Sequence, residues 1–150
     1  MELHNSERAT KDLTPYTYDT SLEQTATTRA KYLSEINNST HKRTSSDGYY
    51  SYESIKKRFS DQGIDFWKNE NGASFSENIW RRIISCKETD CTTQTITALQ
   101  KVFDFFMSEK RANWPHYKAV MWTQFQKIGV GIATNPSSKK IFVVTHYTVN

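Results

Sequence analysis

The sequence predicts an α+β fold, a three-layer α-β-α sandwich with a small, mainly antiparallel central sheet. Apolar residues recur at helical spacing over residues 20–36 and again over residues 92–110. Between residues 128 and 144, apolar runs on both sides of a turn predict a β-hairpin. Strands that are apolar on both sides need helices on both faces of the sheet. At 150 residues, a single domain over residues 1–150 is expected.

The first part of the chain is predicted to be mainly helical. Residues 2–12 indicate a short helix, and the segment Thr20-Ser21-Leu22-Glu23 begins a longer one. There Thr20 is expected to cap the first free amides while Glu23 folds back onto the cap. Residues 51–60 predict a third helix, because their apolar side chains recur at helical spacing. The apolar face of the second helix comprises Leu22, Ala26, Ala30, Leu33 and Ile36.

The second part mixes strands with one long helix. Residues 61–75 predict an irregular connection, and a strand is expected to start near Glu77. The long helix runs from Thr92 or Thr93 to about Lys110. Its predicted buried stripe is Ile96, Leu99, Phe103 and Phe106. After Pro115 the pattern changes to period two, which predicts the hairpin between the alternating residues Ile128, Val130 and Ile132 and the run Ile141-Phe142-Val143-Val144.

The net charge of +4 is unevenly placed: residues 76–150 carry 10 basic and 5 acidic side chains, a net +5, whereas residues 1–75 carry 10 and 11, a net −1. Half of the basic residues in 76–150 are Arg81, Arg82, Lys110, Arg111 and Lys118. Such a surface could attract anionic lipid headgroups, polyanionic glycans or nucleic acid, or it could simply be a solvated basic face. No nucleic-acid-binding module is recognisable, so no specific nucleic acid partner is expected. No stretch approaches the roughly 18 apolar residues of a membrane span.

Cys86 and Cys91 are the only cysteines, and the four residues between them are polar, as expected of a surface loop. In an oxidising compartment a disulfide between Cys86 and Cys91 could close this loop. The alternative is a pair of reduced thiols in a cytosolic protein. Two cysteines are too few for a structural zinc site, which needs about four ligands.

Four short motifs occur in a distinctive order along the chain. They are His4-Asn5-Ser6-Glu7-Arg8, Ser76-Glu77-Asn78-Ile79, the run from His116-Tyr117 to Trp122, and Ile128-Gly129-Val130-Gly131-Ile132-Ala133. This order resembles the CAP superfamily of cysteine-rich secretory, antigen 5 and pathogenesis-related-1 proteins, which includes bacterial SCP-like extracellular proteins. The resemblance implies the same sandwich and, from the few cysteines, a bacterial relative. It also implies an extracellular or cell-surface location, with a signal or lipoprotein leader removed ahead of this sequence.

The resemblance implies a central binding cleft with two histidines and two glutamates. Glu77 and His116 match inside recognisable motifs, although Ser76 replaces the glycine usual before Glu77. Glu109 matches the acid that closes the long helix, and its position seven residues after Val102 points it inward. His41 matches the histidine after the second helix.

Two chemical roles are open for these four residues. His41 and His116 could hold Zn²⁺ or another divalent cation while the carboxylates orient the imidazoles. Alternatively, the four side chains form a buried polar network that fixes the cleft walls. The other two histidines are expected outside the cleft, His4 in the scaffold of the first helix and His146 at a strand edge.

Three functions are compatible with these features. The first is a non-enzymatic binding module, expected to be a monomer, for a lipid, sterol, glycan or protein from the host or the cell envelope; lipid or sterol binding is known in the family. The second is a zinc-dependent hydrolase or peptidase in which Glu77 or Glu109 acts as general base. The third is a surface scaffold whose polar segments, residues 37–51 and 61–75, carry recognition.

Overall fold

The computed structural model describes residues 1–43, 52–61, 63–64, 66–69, 72–84 and 90–149. Its helices are α1 (Glu2–Ala9), α2 (Thr20–Glu35), α3 (Tyr52–Ser60), α4 (Thr92–Ser108) and α5 (Pro115–Met121), with a 3₁₀ helix over Glu109–Ala112. Its strands are β1 (Thr17–Tyr18), β2 (Lys68–Asn69), β3 (Gly72–Ala73), β4 (Phe75–Ile83), β5 (Lys127–Asn135) and β6 (Lys140–Thr148). No helix within these ranges has the length and apolarity needed to cross a bilayer.

The central sheet has the strand order β1-β5-β6-β4. Strand β6 pairs antiparallel with both β5 and β4, whereas the short β1 adds to β5 in parallel. The predicted hairpin is therefore β5–β6, and the sheet is mainly antiparallel as expected. Strands β2 and β3 form a separate two-stranded ribbon. This order puts β6 in the interior of the sheet and leaves β4 at an edge.

Side chains of β6 alternate between two hydrophobic cores. Ile141, Val143 and Tyr147 pack with residues of α4 and α5 on one face of the sheet. Phe142 and Val144 pack with residues of α2 on the other face. Because successive side chains of a strand leave on opposite sides, one strand contributes to both cores. Helices cover both faces of the sheet, so the predicted α-β-α sandwich is confirmed.

Helix α2 has the predicted apolar face but a different cap. The N-cap is Asp19, whose Oδ1 accepts a hydrogen bond from the Leu22 N–H at 2.9 Å. The prediction that Thr20 is the cap is therefore wrong by one residue. Ile36 follows the last residue of the helix and is 42% exposed. The rest of the predicted face is buried, namely Leu22, Ala26, Ala30 and Leu33.

The α2 backbone lies directly against β5 because two glycines leave room for it. A Cβ atom added to Gly129 would collide with the backbone at Leu22 and Glu23. A Cβ atom added to Gly131 would collide with the backbone at Ala26 and Thr27. A helix backbone cannot move away as a flexible side chain can, so these two positions fix the distance between helix and sheet.

The change Gly131→Ala is therefore expected to lower the free energy of unfolding by about 3 kcal/mol, because α2 must shift off the sheet. Urea denaturation followed by circular dichroism measures this loss. Gly63→Ala is the control, since a Cβ atom there meets nothing within 4 Å and only the strain of its positive φ of 69° is added. Equal losses in the two variants would contradict direct packing as the cause.

Arg8 fastens α1 to the segment around α5. The side chain is fully buried, and its guanidinium lies 4.1 Å from the centre of the Tyr16 ring. All of its nitrogens donate to backbone carbonyls, namely those of Thr14 (2.7 Å), Val120 (3.1 Å), Trp122 (3.0 Å) and Phe125 (3.2 Å). One side chain thus ties the start of the chain to residues more than 110 positions later.

Two other residues of α1 also bind the core. His4 Nε2 lies 3.0 Å from the Tyr147 hydroxyl, and the imidazole is 7% exposed. The Asn5 side chain accepts from the Tyr16 N–H at 2.7 Å and donates to the Tyr16 carbonyl at 3.1 Å. His4 has the scaffold position that was predicted for it.

The structure differs from the sequence prediction in three further places. Ile96, predicted to be buried, is 61% exposed, whereas Ala98, Val102 and Phe106 face the core. Helix α5 was not predicted, because seven residues are too few to show helical periodicity. The β2–β3 ribbon lies within the segment predicted to be irregular.

Candidate functional site

Glu77 is the centre of a buried polar cluster on β4. Its carboxylate is 0% exposed, and Oε1 lies 2.9 Å from Nδ1 of His41. Oε2 accepts a hydrogen bond from Nη2 of Arg43 at 2.8 Å and lies 2.9 Å from Nε2 of His146. Arg29 Nε lies 3.8 Å from the same oxygen. Two histidines and two arginines therefore surround one carboxylate.

These contacts keep Glu77 ionised. Burial alone would raise the pKa of Glu77, but hydrogen bonds from His146 and His41 and the charge of Arg43 outweigh it and hold that pKa well below 4.5. Two guanidinium groups beside one carboxylate give the cluster a positive charge. A further positive charge is disfavoured there, so a neutral His146 is expected.

His146 is the member of this cluster that the sequence prediction placed wrongly. It lies in the interior strand β6, directly opposite Glu77 in the register, and is 1% exposed. Its Nδ1 lies 2.8 Å from the Thr25 hydroxyl of α2. The sequence contained the information needed. His146 is two residues from Val144 and four from Phe142, so in a strand its side chain points to the same face as theirs, the face that α2 covers.

The protein is expected to lose stability in mild acid, because two of its histidines are buried. Burial lowers the pKa of His4 to about 3 and also lowers the pKa of His146, from a usual value of 6.5. Below pH 6.5 the unfolded chain binds protons that the native state does not bind, so acid favours unfolding. We expect the free energy of unfolding to fall by up to about 1.4 kcal/mol per pH unit for each histidine.

Urea denaturation at pH values from about 7 to about 5 measures this slope. In His4→Gln the slope is expected to be about half as steep, because one of the two titrating groups is gone. A wild-type stability that stays constant across this pH range would contradict the prediction.

Glu109 and His116 form a second pair, at the junction of the 3₁₀ helix and α5. His116 Nδ1 lies 2.7 Å from Glu109 Oε1, and the His116 backbone N–H donates to Oε2 at 3.0 Å. The imidazole stacks on Phe106 with ring centres 4.9 Å apart. Glu109 thus caps the first turn of α5, where Pro115 has no N–H to donate. The Glu109 carboxylate therefore has a structural role at the start of α5, whether or not it also lines a cleft.

Within the described residues the four predicted site residues form these two pairs, and no hydrogen bond or ion pair joins one pair to the other. Glu77 and Asn78 are consecutive in β4, so their side chains leave on opposite faces. Asn78 Nδ2 donates to the His116 carbonyl at 3.1 Å, on the face of α4 and α5. Because β4 is an edge strand, a ligand shared by both pairs would have to reach around that edge. The shared cleft stays a prediction.

Zinc is the cofactor that the resemblance implies, and the residues fit it poorly. His41 and His116 do have the carboxylate partner on Nδ1 that typically orients a metal-binding imidazole. In the part of the chain that the structure describes, however, no group of three or more His, Cys, Asp or Glu side chains could hold a metal ion. The positive charge of Arg29 and Arg43 around Glu77 also opposes a divalent cation. A resident zinc centre does not follow from this arrangement.

Cys91 is disulfide-bonded and precedes α4 as its N-cap. The chain's other cysteine, Cys86, lies outside the described residues, as does the rest of the predicted loop. The disulfide between Cys86 and Cys91 therefore stays a prediction.

A mainly apolar pocket lies beside the predicted site, and its lining includes Ser76 and Pro115 but none of the four predicted site residues. It has a volume of about 320 Å³ and is bounded by the β2–β3 ribbon, the start of β4 and α5. Its lining includes two lysines, Lys68 and Lys118. Its apolar walls are formed by Ala73, Phe75, Pro115, Ala119, Trp122 and Phe125. Sequence patterns did not indicate this pocket, since two of its boundaries, the β2–β3 ribbon and α5, were not predicted.

One protein-family model matches this sequence. The model of the cysteine-rich secretory protein (CAP) family matches residues 1–147. No curated protein matches the chain by sequence.

Several solved structures share the fold. An outer surface protein from Borrelia burgdorferi is 21% identical with a TM-score of 0.65, over 98% of this chain and 87% of that one. An extracellular protein containing an SCP domain from Bacillus anthracis is 16% identical with a TM-score of 0.64, but this chain spans only 38% of its length while aligning over 98% of its own. NaASP2, solved with Zn²⁺, is 16% identical with a TM-score of 0.60, over 99% of this chain and 76% of that one.

Proposed function

The chain belongs to the cysteine-rich secretory protein (CAP) family, and we propose that it acts outside the cell as a non-catalytic module that binds a ligand. The observation that carries this proposal is that both candidate general bases are buried and already engaged by the protein. Both carboxylate oxygens of Glu77 and both of Glu109 accept hydrogen bonds from the protein, and these side chains are 0% and 6% exposed. A general base needs an oxygen within hydrogen-bond reach of the proton that it removes, and burial keeps a substrate away from these oxygens.

The proposed location rests on the relatives. Two of the solved structures are of proteins described as extracellular or as an outer surface protein. We propose that this chain is likewise secreted or attached to the cell surface after removal of a signal or lipoprotein leader, and that it acts as a monomer.

The proposed ligand is an amphiphile, such as a fatty acid, with an anionic head group. The pocket between the β2–β3 ribbon and α5 has mainly apolar walls, which suit a hydrocarbon chain. Lys118 belongs to the same lining and is exposed, so it can meet a carboxylate at the pocket. The family resemblance to lipid-binding proteins agrees with this choice.

Displacement of a fluorescent fatty acid by palmitate tests the proposal. Ser76 lines the pocket and is partly exposed, so Ser76→Leu fills the space with little change at the surface. We expect saturable binding by the wild type, loss of binding in Ser76→Leu and weaker binding in Lys118→Ala. Lys110→Ala, which removes an exposed lysine of the 3₁₀ helix, is the matched control. No binding by the wild type would exclude the amphiphile and leave protein or glycan ligands.

A zinc-dependent hydrolase is the competing proposal, and zinc titration separates the two. We expect wild type and the His41→Ala, His116→Ala double variant to give the same weak heats, because the described donors are too few for a metal centre. Saturable binding that the double variant loses, together with turnover that a chelator abolishes, would favour the hydrolase.

A further inference from the structure

A groove of about 250 Å³ lies between the end of β4 and the first turns of α4. Its floor is apolar, with Ala98 4% exposed. Its walls add hydroxyl groups and two cations. The lining residues used here are Ile84 and Ala98, Thr93 and Thr97, and Arg82 and Lys101. The groove therefore offers apolar contact, hydrogen bonding and positive charge together.

The groove also contains a polar atom that its surroundings do not satisfy. The side-chain oxygen of Gln94, another lining residue, is buried and accepts no hydrogen bond from the described residues. A buried acceptor without a donor costs free energy. A hydroxyl-bearing ligand would bring the missing kind of donor into this groove.

Three further cations surround the end of the same edge strand. Arg81 donates to the Asn37 carbonyl at 2.9 Å, and Lys140 Nζ lies 3.0 Å from Asn37 Oδ1, so these two side chains share one neighbour. Lys139 precedes Lys140 in the β5–β6 turn, and its carbonyl accepts from the N–H of Ile84 in the groove floor at 2.9 Å. The positive surface thus continues from the groove around the edge of β4.

None of these five cations forms an ion pair with an acidic side chain that the structure describes. The two described acids nearest to them, Asp90 and Asp104, accept hydrogen bonds from neutral groups instead, and two negative charges offset only part of five positive ones. The Asp90 carboxylate accepts from the Thr92 backbone and hydroxyl, and Asp104 accepts from Gln100. A net positive charge concentrated on one surface attracts polyanions from a distance.

From these observations we propose that this surface, made of Arg81, Arg82, Lys101, Lys139 and Lys140 with the groove beside α4, binds a linear sulfated polysaccharide. Sulfate groups spaced along such a chain match cations spread around a strand end, and its hydroxyls match Thr93, Thr97 and Gln94. The lining of the groove contains no aromatic residue among those that the structure describes. Single-stranded nucleic acid, which binds largely by stacking bases on aromatic side chains, fits it less well.

Binding of a heparin oligosaccharide of defined length, measured by calorimetry at several salt concentrations, tests the proposal. We expect saturable binding that weakens as salt rises, and a loss of affinity of about tenfold in Arg82→Gln, Lys101→Gln. The matched control is Lys110→Gln, Arg111→Gln, which removes the same charge from the exposed 3₁₀ helix and is expected to change affinity less than about twofold.

Two comparisons decide what is recognised. Equal losses in the two double variants, both still folded by circular dichroism, would overturn the proposal in favour of attraction to net charge alone. Chemically desulfated heparin is expected not to bind. A DNA oligonucleotide that binds as tightly as heparin and is equally weakened by Arg82→Gln, Lys101→Gln would overturn the assignment to a polysaccharide.

Discussion

Replacing Arg8 by methionine is expected to lower the free energy of unfolding by about 4 kcal/mol, once relaxation is allowed for. Methionine fills much of the same space but has no donors, so the carbonyls of Thr14, Val120, Trp122 and Phe125 each lose a hydrogen bond. Val120 keeps a bond from the Tyr16 hydroxyl and Trp122 keeps one from the Phe125 N–H, whereas the structure gives Thr14 and Phe125 no other donor among the described residues. Each unsatisfied buried group costs about 1–3 kcal/mol, and partial relaxation or entry of water recovers some of the total. Urea denaturation at neutral pH measures the loss.

Two variants show whether the hydrogen bonds are the cause. Arg8→Lys keeps the charge but has a single ammonium, which cannot reach carbonyls on three sides, so it is expected to recover less than half of the lost stability. Arg111→Met removes an exposed arginine and should be nearly neutral. Arg8→Met with wild-type stability would show that α1 is not fastened by this side chain.

Glu77→Gln is expected to cost about 3 kcal/mol at neutral pH, because a buried charge is removed from partners that remain charged. The effect should depend on pH. Since the pKa of Glu77 in the folded protein is well below 4.5, its stabilisation is complete above about pH 4.5 and is lost as the pH falls towards that lowered value. The difference in stability between wild type and Glu77→Gln should therefore shrink in acid.

Glu109→Gln provides the comparison. Among the described residues, the Glu109 carboxylate is hydrogen-bonded only to His116, to its imidazole and to its backbone N–H. Glutamine keeps an acceptor for that backbone N–H, so a loss nearer to about 1 kcal/mol is expected. If Glu77→Gln costs no more than Glu109→Gln, the four-partner cluster is not a stabilising unit.

Much of the scaffold could be predicted from periodicity, because long elements repeat their pattern several times. Helix α2 and the β5–β6 hairpin were predicted where they occur. Helix α5 was missed because seven residues beginning with proline contain less than two full repeats. Ile96 shows the opposite error. Its spacing predicted burial, but it lies near the start of α4, outside the part of the helix that packs on the core, and is exposed.

The candidate site was predictable only in part, for a similar reason. Motif order singled out His41, Glu77, Glu109 and His116, because it carries information about residues distant in sequence, but it did not show which histidine contacts which glutamate. No local pattern shows that Arg29 and Arg43 neutralise Glu77, since these contacts depend on how a helix and a loop pack together. The position of His146 could have been derived, because an interior strand must bury both of its faces.

The strand order has a consequence for how the chain comes together. Every residue of β4 is paired with a residue between positions 140 and 148, so the sheet cannot close until that last segment has been synthesised. A nascent polypeptide therefore stays open at this edge until residues 140–148 are available, so the central sheet forms late in synthesis.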